Sequence, residues 1–494
     1  AEAIYSVGVE NDGRPLGISE SDMESSLETL RRMAKEVNAE MSVLCQKKVS
    51  CASSSISKIV AQVLIRKNLE VSQQQQEHLL PSREIRICVI GNVDASKSTF
   101  ISVMTRGKLD DGRGSARQCI FRHRHELENG RTSTMSCHLL GFNSKNEIVN
   151  YNDDSNRSLK TPEISWQEIA QNSSKIIRFI DLAGHQRYLR TTVFGMCGMS
   201  PDYAMVLIGA NMGISQMTKE HILLAVALQI PMIFIISKID ICPDHVLAKT
   251  MDDLYKILKS PRLKKFPQVV HDESVAVRVA TLSSSGASGS SSRIVPIFLS
   301  SNVTGGGLDL IKLFLSCLQQ QPNRSNAQRQ FVPQMSPVPQ PSPMSSLEFF
   351  IDEIFSVTGI GTVVSGIVSQ GILRAGATVL FGPDRNGTFK PVRIRSIQNK
   401  RINVNQAFTG EQVAVCIPGI RRQEVKKSMV LLDMKSQPKA CKGFVAEIEL
   451  LSNNSTTVRV GYEPLIHYRT IRQAAKIVSM DREVSRGGDK CKKV

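Results

Sequence analysis

The chain has 494 residues, too many for one hydrophobic core, and at 41% apolar and 22% charged it is globular rather than fibrous or disordered. Lysine and arginine number 62 against 45 acidic residues, and the resulting charge of +17 points to a polyanionic partner, nucleic acid before membrane, without bearing on fold. The 11 cysteines form no C-x-x-C pair, which argues against a cysteine-held metal and for reduced thiols in a cytoplasmic location. No apolar run is long enough to span a membrane, and no basic flank and apolar core mark a signal peptide. Cys491-Lys492-Lys493-Val494 lacks the aliphatic residues of a prenylation box, and the chain begins at Ala1 rather than Met, as a fragment or processed product would.

Residues 4–9 alternate as a strand, Asn11-Asp12-Gly13 is a turn signal, and residues 16–18 return as a second strand. Ser21-Asp22-Met23-Glu24 reads as a capping box opening a helix through Val37. Met41–Cys45 is expected as a strand and Ser55–Arg66 as a helix. The result is a small α+β module over 1–70, half of a ferredoxin-like sandwich, followed by a glutamine-rich linker over 71–84.

From 85 to 320 apolar strands alternate with helices. The strands are Ile85–Ile90, Ile176–Ile180, Ala204–Gly209, Met232–Ser237 and Val295–Ser300, with helices beginning near Lys97, His185, Thr218, His245 and Leu308. Apolar strands without alternation, interleaved with helices, predict an α/β domain with a parallel-rich sheet covered on both faces, binding its ligand beyond the C-terminal strand ends. Serine-rich residues near 271–293 read as a disordered insertion, and the Pro/Gln/Ser stretch 321–346 as a linker. Short strands then predict a β-barrel over 347–436: Leu347–Ile354, Gly361–Val368, Thr378–Phe381, Lys390–Ile397 and Glu411–Ile417. A partial barrel over 437–494 opens at Gly443–Leu451 with too few strands to close, so its C-terminus is missing or a partner covers the edge.

Every chemistry-bearing motif falls at a strand end. Gly91-Asn92-Val93-Asp94-Ala95-Ser96-Lys97-Ser98-Thr99 joins strand to helix as a phosphate-binding loop does: backbone N–H groups face a polyphosphate, Lys97 brings a point charge, and Ser98 offers its hydroxyl to Mg²⁺. Ser96 stands where the G-x-x-x-x-G-K-[ST] pattern has a second glycine. Asp181-Leu182-Ala183-Gly184 suits a γ-phosphate sensor, with Asp181 holding Mg²⁺ through water and the Gly184 N–H on the phosphate. Ser237-Lys238-Ile239-Asp240 suits a base-reading turn: Asp240 accepts from guanine N1–H and the 2-amino group, donors adenine lacks, and Lys238 lies along the base. Serine at 237 in place of asparagine forgoes one hydrogen bond, of order 1 kcal/mol. Ser301-Asn302-Val303 would offer backbone N–H groups to the guanine carbonyl, and Thr132, among competing serines and threonines, would close on Mg²⁺.

In this order the motifs resemble those of the translational GTPases related to elongation factor Tu; His185 in Asp-Leu-Ala-Gly-His-Gln-Arg-Tyr and the stretch Phe355–Gly366 strengthen the likeness. More narrowly, the chain resembles the GTP-binding protein 1 and GTP-binding protein 2 family, nearer the second, through residues 3–10, Leu109–Arg117, Phe121–Glu126, Phe142–Lys145 and Met217–His221. The resemblance implies a monomeric cytoplasmic GTP/GDP switch with Mg²⁺. It acts with ribosomes and with tRNA, a tRNA-like factor or RNA-surveillance machinery, in rescue of stalled ribosomes, and not at membranes. It also implies that His185 orients the attacking water, that Thr132 assists catalysis, and that Asp94 helps hold a monovalent cation. The rival is a degenerate GTPase serving as a ribosome- or RNA-binding scaffold, motivated by Ser96 and the basic charge. A P-loop kinase or ATPase ranks third, since it leaves Ser237–Asp240 without a role.

Overall fold

The computed structural model describes residues 2–10, 14–37, 39–49, 58–67, 84–121, 123–151, 164–261, 263–284, 293–319, 346–448, 458–482 and 492–493. The chain divides into two compact units, Ala1–Thr192 with Pro201–Arg324, and Val193–Ser200 with Ser325–Val494.

The first unit begins with β1 (Glu2–Val7), α1 (Glu20–Glu36), β2 (Ala39–Val49) and β3 (Lys58–Lys67), in an antiparallel sheet ordered β1-β3-β2. The helix expected at Ser55–Arg66 is therefore strand β3 over its described part. Its apolar residues satisfy either period, and pairing on both edges decides for the β-branched run Ile59-Val60 and Val63. The strand expected at 16–18 shrinks to a single bridge, Ile18 to Ile59, because Gly17 takes a φ of +67°. Ser19 rather than Ser21 caps α1, accepting from the Asp22 N–H at 3.2 Å.

The central sheet runs β5-β6-β4-β7-β8-β10-β9. Its strands are β4 (Glu84–Gly91), β5 (Ser136–Phe142), β6 (Lys175–Asp181), β7 (Tyr203–Gly209), β8 (Met232–Ser237), β9 (Phe266–Val269) and β10 (Ile294–Leu299). All pairs are parallel except β5 with β6. Every residue of β4, β6, β7 and β8 is buried, as two covered faces require. Helices α2 (Lys97–Arg106), α3 (Ser115–Gln118), α4 (Arg124–Asn129), α5 (Trp166–Asn172), α6 (Leu189–Gly198), α7 (Gln216–Ala227), α8 (Asp244–Lys259), α9 (Glu273–Ser284) and α10 (Leu308–Cys317) complete the set. Helix α9 corrects the disordered reading of 271–284: Val275, Ala276, Val277, Val279 and Ala280 are buried, and the Asp272 carboxylate accepts from the Val275 N–H at 2.8 Å. Residues 285–292 and the expected linkers at 71–83 and 321–345 lie outside the described residues.

Leu44 and Leu64 of the N-terminal sheet share one core with Ile87 and Val89. Buried Arg66 donates to Ser316 O at 2.8 Å and to Asn143 O at 3.0 Å. Lys175 Nζ reaches the same Ser316 O at 2.7 Å, so two cations meet the carbonyl end of α10, where the helix dipole favours them.

The second unit is antiparallel: β11 (Glu348–Val357), β12 (Gly361–Gln370), β13 (Ile372–Arg374), β14 (Thr378–Gly382), β15 (Lys390–Arg393), β16 (Ser396–Asn399), β17 (Ile402–Val404), β18 (Gln406–Phe408), β19 (Gln412–Ile417) and β20 (Val430–Asp433). Eight of them form a sheet ordered β15-β14-β20-β11-β12-β19-β16-β17, and β13 pairs with β18. The single strand expected at Lys390–Ile397 is two, broken where Ile394 and Arg395 bond to Ala377 and Cys416 on opposite sides. Beyond 437 the described strands are short: Leu465–Tyr468 with Ile471–Ala474, and Glu447–Ile448 and Asp481–Arg482 on Lys492–Lys493. Of the strand expected at 443–451, only Glu447–Ile448 is described as β.

Asp352 on β11 is 1% exposed. One oxygen accepts from Gln412 Nε2 at 2.7 Å and the other has no partner among the described residues. Burial, with Glu353 adding to it, pushes its pKa from 3.8 up to about 6. A raised carboxyl contributes stability below its unfolded pKa and loses it as pH rises through the folded value. Wild-type stability should therefore fall relative to Asp352→Asn between pH 4 and 7, by on the order of 2–3 kcal/mol in denaturant titrations. Parallel pH profiles would contradict this.

Candidate functional site

Strand β4 ends at Gly91, where a Cβ would sit 2.2 Å from Leu207 O of β7, so only glycine lets the chain turn there. The loop then leads into α2, with Lys97, Ser98 and Thr99 buried in its first turn. Lys97 Nζ donates to Asn92 O at 2.7 Å, closing the loop on itself. Ser96 takes the left-handed conformation (φ 63°, ψ 26°) that its position in the motif demands. A side chain there costs about 1 kcal/mol. Asp94 and Lys238 share that conformation, at φ 61° and 63°.

Register brings the second motif alongside: Val89 pairs with Asp181 on β6. Ser98 Oγ donates to Asp181 Oδ2 at 2.6 Å, and Thr132 Oγ1 lies 2.6 Å from Ser98 Oγ and 3.3 Å from the same carboxylate oxygen. Burial raises Asp181 to about 6 against the opposing effects of Ser98 and Lys97, and burial lowers Lys97 to about 8. Gly184 passes so close that a Cβ would lie 2.3 Å from Lys97 Nζ and 2.6 Å from Gly91 O. His185 follows, half-exposed; its Nδ1 accepts from the Arg187 N–H at 3.1 Å. Together Val93, Asp94, Ser96, Lys97, Ser98, Thr99, Thr132, Gly184 and His185 line one pocket with Arg117, Gly130 and Arg131.

The residues expected to read the base do not line this pocket. Ser237 Oγ donates to Ala95 O of the phosphate loop at 3.1 Å and to Ile208 O at 3.3 Å. The serine thus braces two strand ends. The Ile239 N–H meets Ser300 O at 3.5 Å, and the Asp110 N–H meets Asn302 O at 2.9 Å. Asp240 is exposed. At Ser301–Val303, the Ser301 N–H donates to Gly306 O at 2.9 Å and the Val303 N–H to Ser301 Oγ at 3.2 Å.

Two residues that the motifs did not reveal shape the pocket. Buried Glu126 accepts from the N–H and hydroxyl of both Ser133 and Thr134, at 2.7–3.2 Å, and from the His123 N–H. The loop hydroxyls thus have different partners: Ser133 and Thr134 bond to Glu126, and Thr132 to Ser98 and Asp181. The capping-box spacing from His123 to Glu126 was the one available signal. Arg117, on α3, is the second.

Ser98, Thr132 and Asp181 form an all-oxygen donor set, and Asp181 Oδ1 is buried with no partner among the described residues. Such donors fit Mg²⁺ better than softer metals.

The family described as elongation factor Tu GTP binding domain matches residues 82–332, and elongation factor Tu domain 2 matches 361–432. GTP-binding protein 1 of Xenopus laevis is 39% identical over 496 residues, covering 99% of this chain and 68% of that protein. The chain belongs to the elongation factor Tu family of GTPases. GTP-binding protein 2 of Homo sapiens is 40% identical over 476 residues, covering 96% of this chain and 73% of that protein. Among solved structures, a bacterial selenocysteine-specific elongation factor superposes with a TM-score of 0.51 at 18% identity, covering 83% of this chain and 53% of that one. The GTP-bound Ski7 GTPase-like domain of S. cerevisiae gives 0.51 at 12%, covering 83% and 89%. Both share the fold. Among the described residues of this GTPase, no helix is long and apolar enough to cross a membrane.

Glu126→Ala should release the Thr132 loop, weakening Mg²⁺-dependent GTP binding by about 2–4 kcal/mol and raising amide exchange at 131–134. Unchanged exchange there would refute the latch. Ser96→Gly removes the strained Cβ from the pocket lining and should tighten GDP binding severalfold, as fluorescent-nucleotide titration would report.

Proposed function

We propose that this GTPase is a translational switch whose triphosphate lies in the pocket at the ends of β4 and β6. The carrying observation is the convergence of the Ser98 and Thr132 hydroxyls on Asp181 beside buried Lys97. In this reading Lys97 and the N–H groups of Gly91–Thr99 cradle the β- and γ-phosphates. Ser98 and Thr132 would hold Mg²⁺ directly and Asp181 through water; the ion, when bound, neutralises phosphate charge. The Gly184 N–H meets the γ-phosphate, so its loss on hydrolysis frees both the 181–185 and the 130–134 loops, which is the switch. His185, with Nδ1 engaged by the Arg187 N–H, orients the attacking water once a partner positions it. Asp240 reads guanine, Lys238 lies along the base, Asn302 donates to the base carbonyl, and Ser237 couples this half to the phosphate loop. Asp94, exposed in the pocket lining, would help hold a monovalent cation.

The partner follows from kinship and charge. Elongation factor 1-alpha of Halobacterium salinarum is 24% identical over 406 residues, and this chain carries +17. Both are in keeping with a ribosome and a tRNA, tRNA-like or RNA-surveillance partner; the role we propose is rescue of stalled ribosomes, by a cytoplasmic monomer. Family membership favours this over an inert scaffold.

Fluorescent GTP should bind in a Mg²⁺-dependent way, and ATP in large excess should fail to displace it; equal competition by ATP would refute the base assignment. Ribosomes should raise turnover, and His185→Ala should remove that stimulation while leaving GDP affinity within about threefold.

A further inference from the structure

We infer that Arg117 is an arginine supplied in cis to the phosphoryl group being transferred, a catalytic residue additional to His185. The inference rests on the pocket's binding GTP as proposed above.

The local sequence builds the placement. Asp110 accepts from the N–H groups of Gly112, Gly114 and Ala116 at 2.9–3.2 Å, and Asp111 from those of Arg113 and Ser115 at 2.8 and 3.2 Å. These bonds wind Asp110–Ser115 tightly into α3, and Ala116, fully buried, anchors that turn in the core. Arg117 is thereby directed into the pocket that also holds Lys97, Ser98 and Thr132. Two glycines make room for it. A Cβ on Gly114 would lie 2.5 Å from Arg117 Nε, and one on Gly130 would lie 3.1 Å from its Nη2. The guanidinium is therefore seated against backbone on two sides rather than swinging in solvent, unlike exposed Arg131 beside it.

Its charge is unanswered. Arg117 is half-buried, and its guanidinium makes no hydrogen bond or ion pair with a described residue. Arg117 and buried Lys97 line the same pocket, and two cations on one wall suit an anion between them. A planar fork of N–H donors matches two phosphate oxygens at once, and it stays protonated throughout the working pH range. In hydrolysis the water oxygen bonds to the γ-phosphorus and the bond from that phosphorus to the β,γ-bridging oxygen breaks. GDP leaves with the electron pair, and the water's protons pass to inorganic phosphate and solvent. Negative charge grows on the bridging oxygen as this happens. Arg117 would donate to that oxygen and to a γ-oxygen, stabilising the transition state more than bound GTP.

The test compares Arg117→Gln and Arg117→Lys with wild type in single-turnover GTP hydrolysis, in fluorescent-GDP affinity and in capture of GDP with aluminium fluoride. Gln should lower turnover by about 10²–10³-fold and abolish the aluminium-fluoride complex, with GDP affinity within about threefold and melting temperature unchanged. Lys should recover part of the rate. Unchanged turnover and fluoride capture would overturn the proposal, as would turnover and GDP affinity falling by one common factor, which marks ground-state binding. Wild-type protein that neither binds nor hydrolyses GTP would instead overturn the underlying reading of the pocket.

Discussion

A buried ammonium and a buried carboxylate at the ends of neighbouring parallel strands set the terms for this molecule. Burial pushes Asp181 up to about 6 and Lys97 down to about 8, so each is held where water cannot stabilise its charge. Neutral hydroxyls on Ser98 and Thr132 occupy the space around Asp181, and Asn92 O accepts a hydrogen bond from Lys97. An anion over Lys97 and a cation over Asp181 would compensate the solvation both groups lost. Mg²⁺ with a polyphosphate would be such a pair.

Around that pair, the polar loops are organised by carboxylates rather than by hydrophobic packing. Glu126 gathers the N–H groups and hydroxyls of 133–134, and Asp110 and Asp111 gather those of 112–116. Hydrogen bonds to charged acceptors are strong enough to order short irregular segments, and they can be exchanged when a ligand competes for the chain. Loops built this way are suited to ordering around a phosphate and loosening without it. At the ends of β8 and β10, Ser300 and Ser301 are fully buried, and Ser237 ties its strand end to the phosphate loop through Ala95 O.

The N-terminal sheet contributes to the same rigidity. Its Leu44 and Leu64 enter the core beneath β4, and Arg66 joins Lys175 on the last carbonyls of α10. A cation beside free helix carbonyls compensates both groups, so the arrangement secures a charged residue within a largely apolar surround. The second unit is built on a different plan. Its sheet is antiparallel, and its core of Phe349, Ile351, Val364, Val415 and Leu431 is enclosed by strands joined mostly by short turns.

What reading the chain residue by residue established was the set and order of strand-end motifs, because runs such as Ile85–Ile90 and Met232–Ser237 are apolar throughout and the glycine, lysine and aspartate positions follow them directly. It misjudged β3, whose apolar spacing fits two periods, and α9, whose buried stripe was masked by neighbouring serines. Local composition cannot separate such cases; a paired edge or a packed face can. Tertiary structure alone set Thr132 against Asp181 and Ser133 and Thr134 against Glu126, linked Ser237 to Ala95 O, and brought Arg117 to the pocket. Those assignments depend on which donor lies within about 3 Å of which acceptor across distant segments, and spacing along a chain carries no such distance.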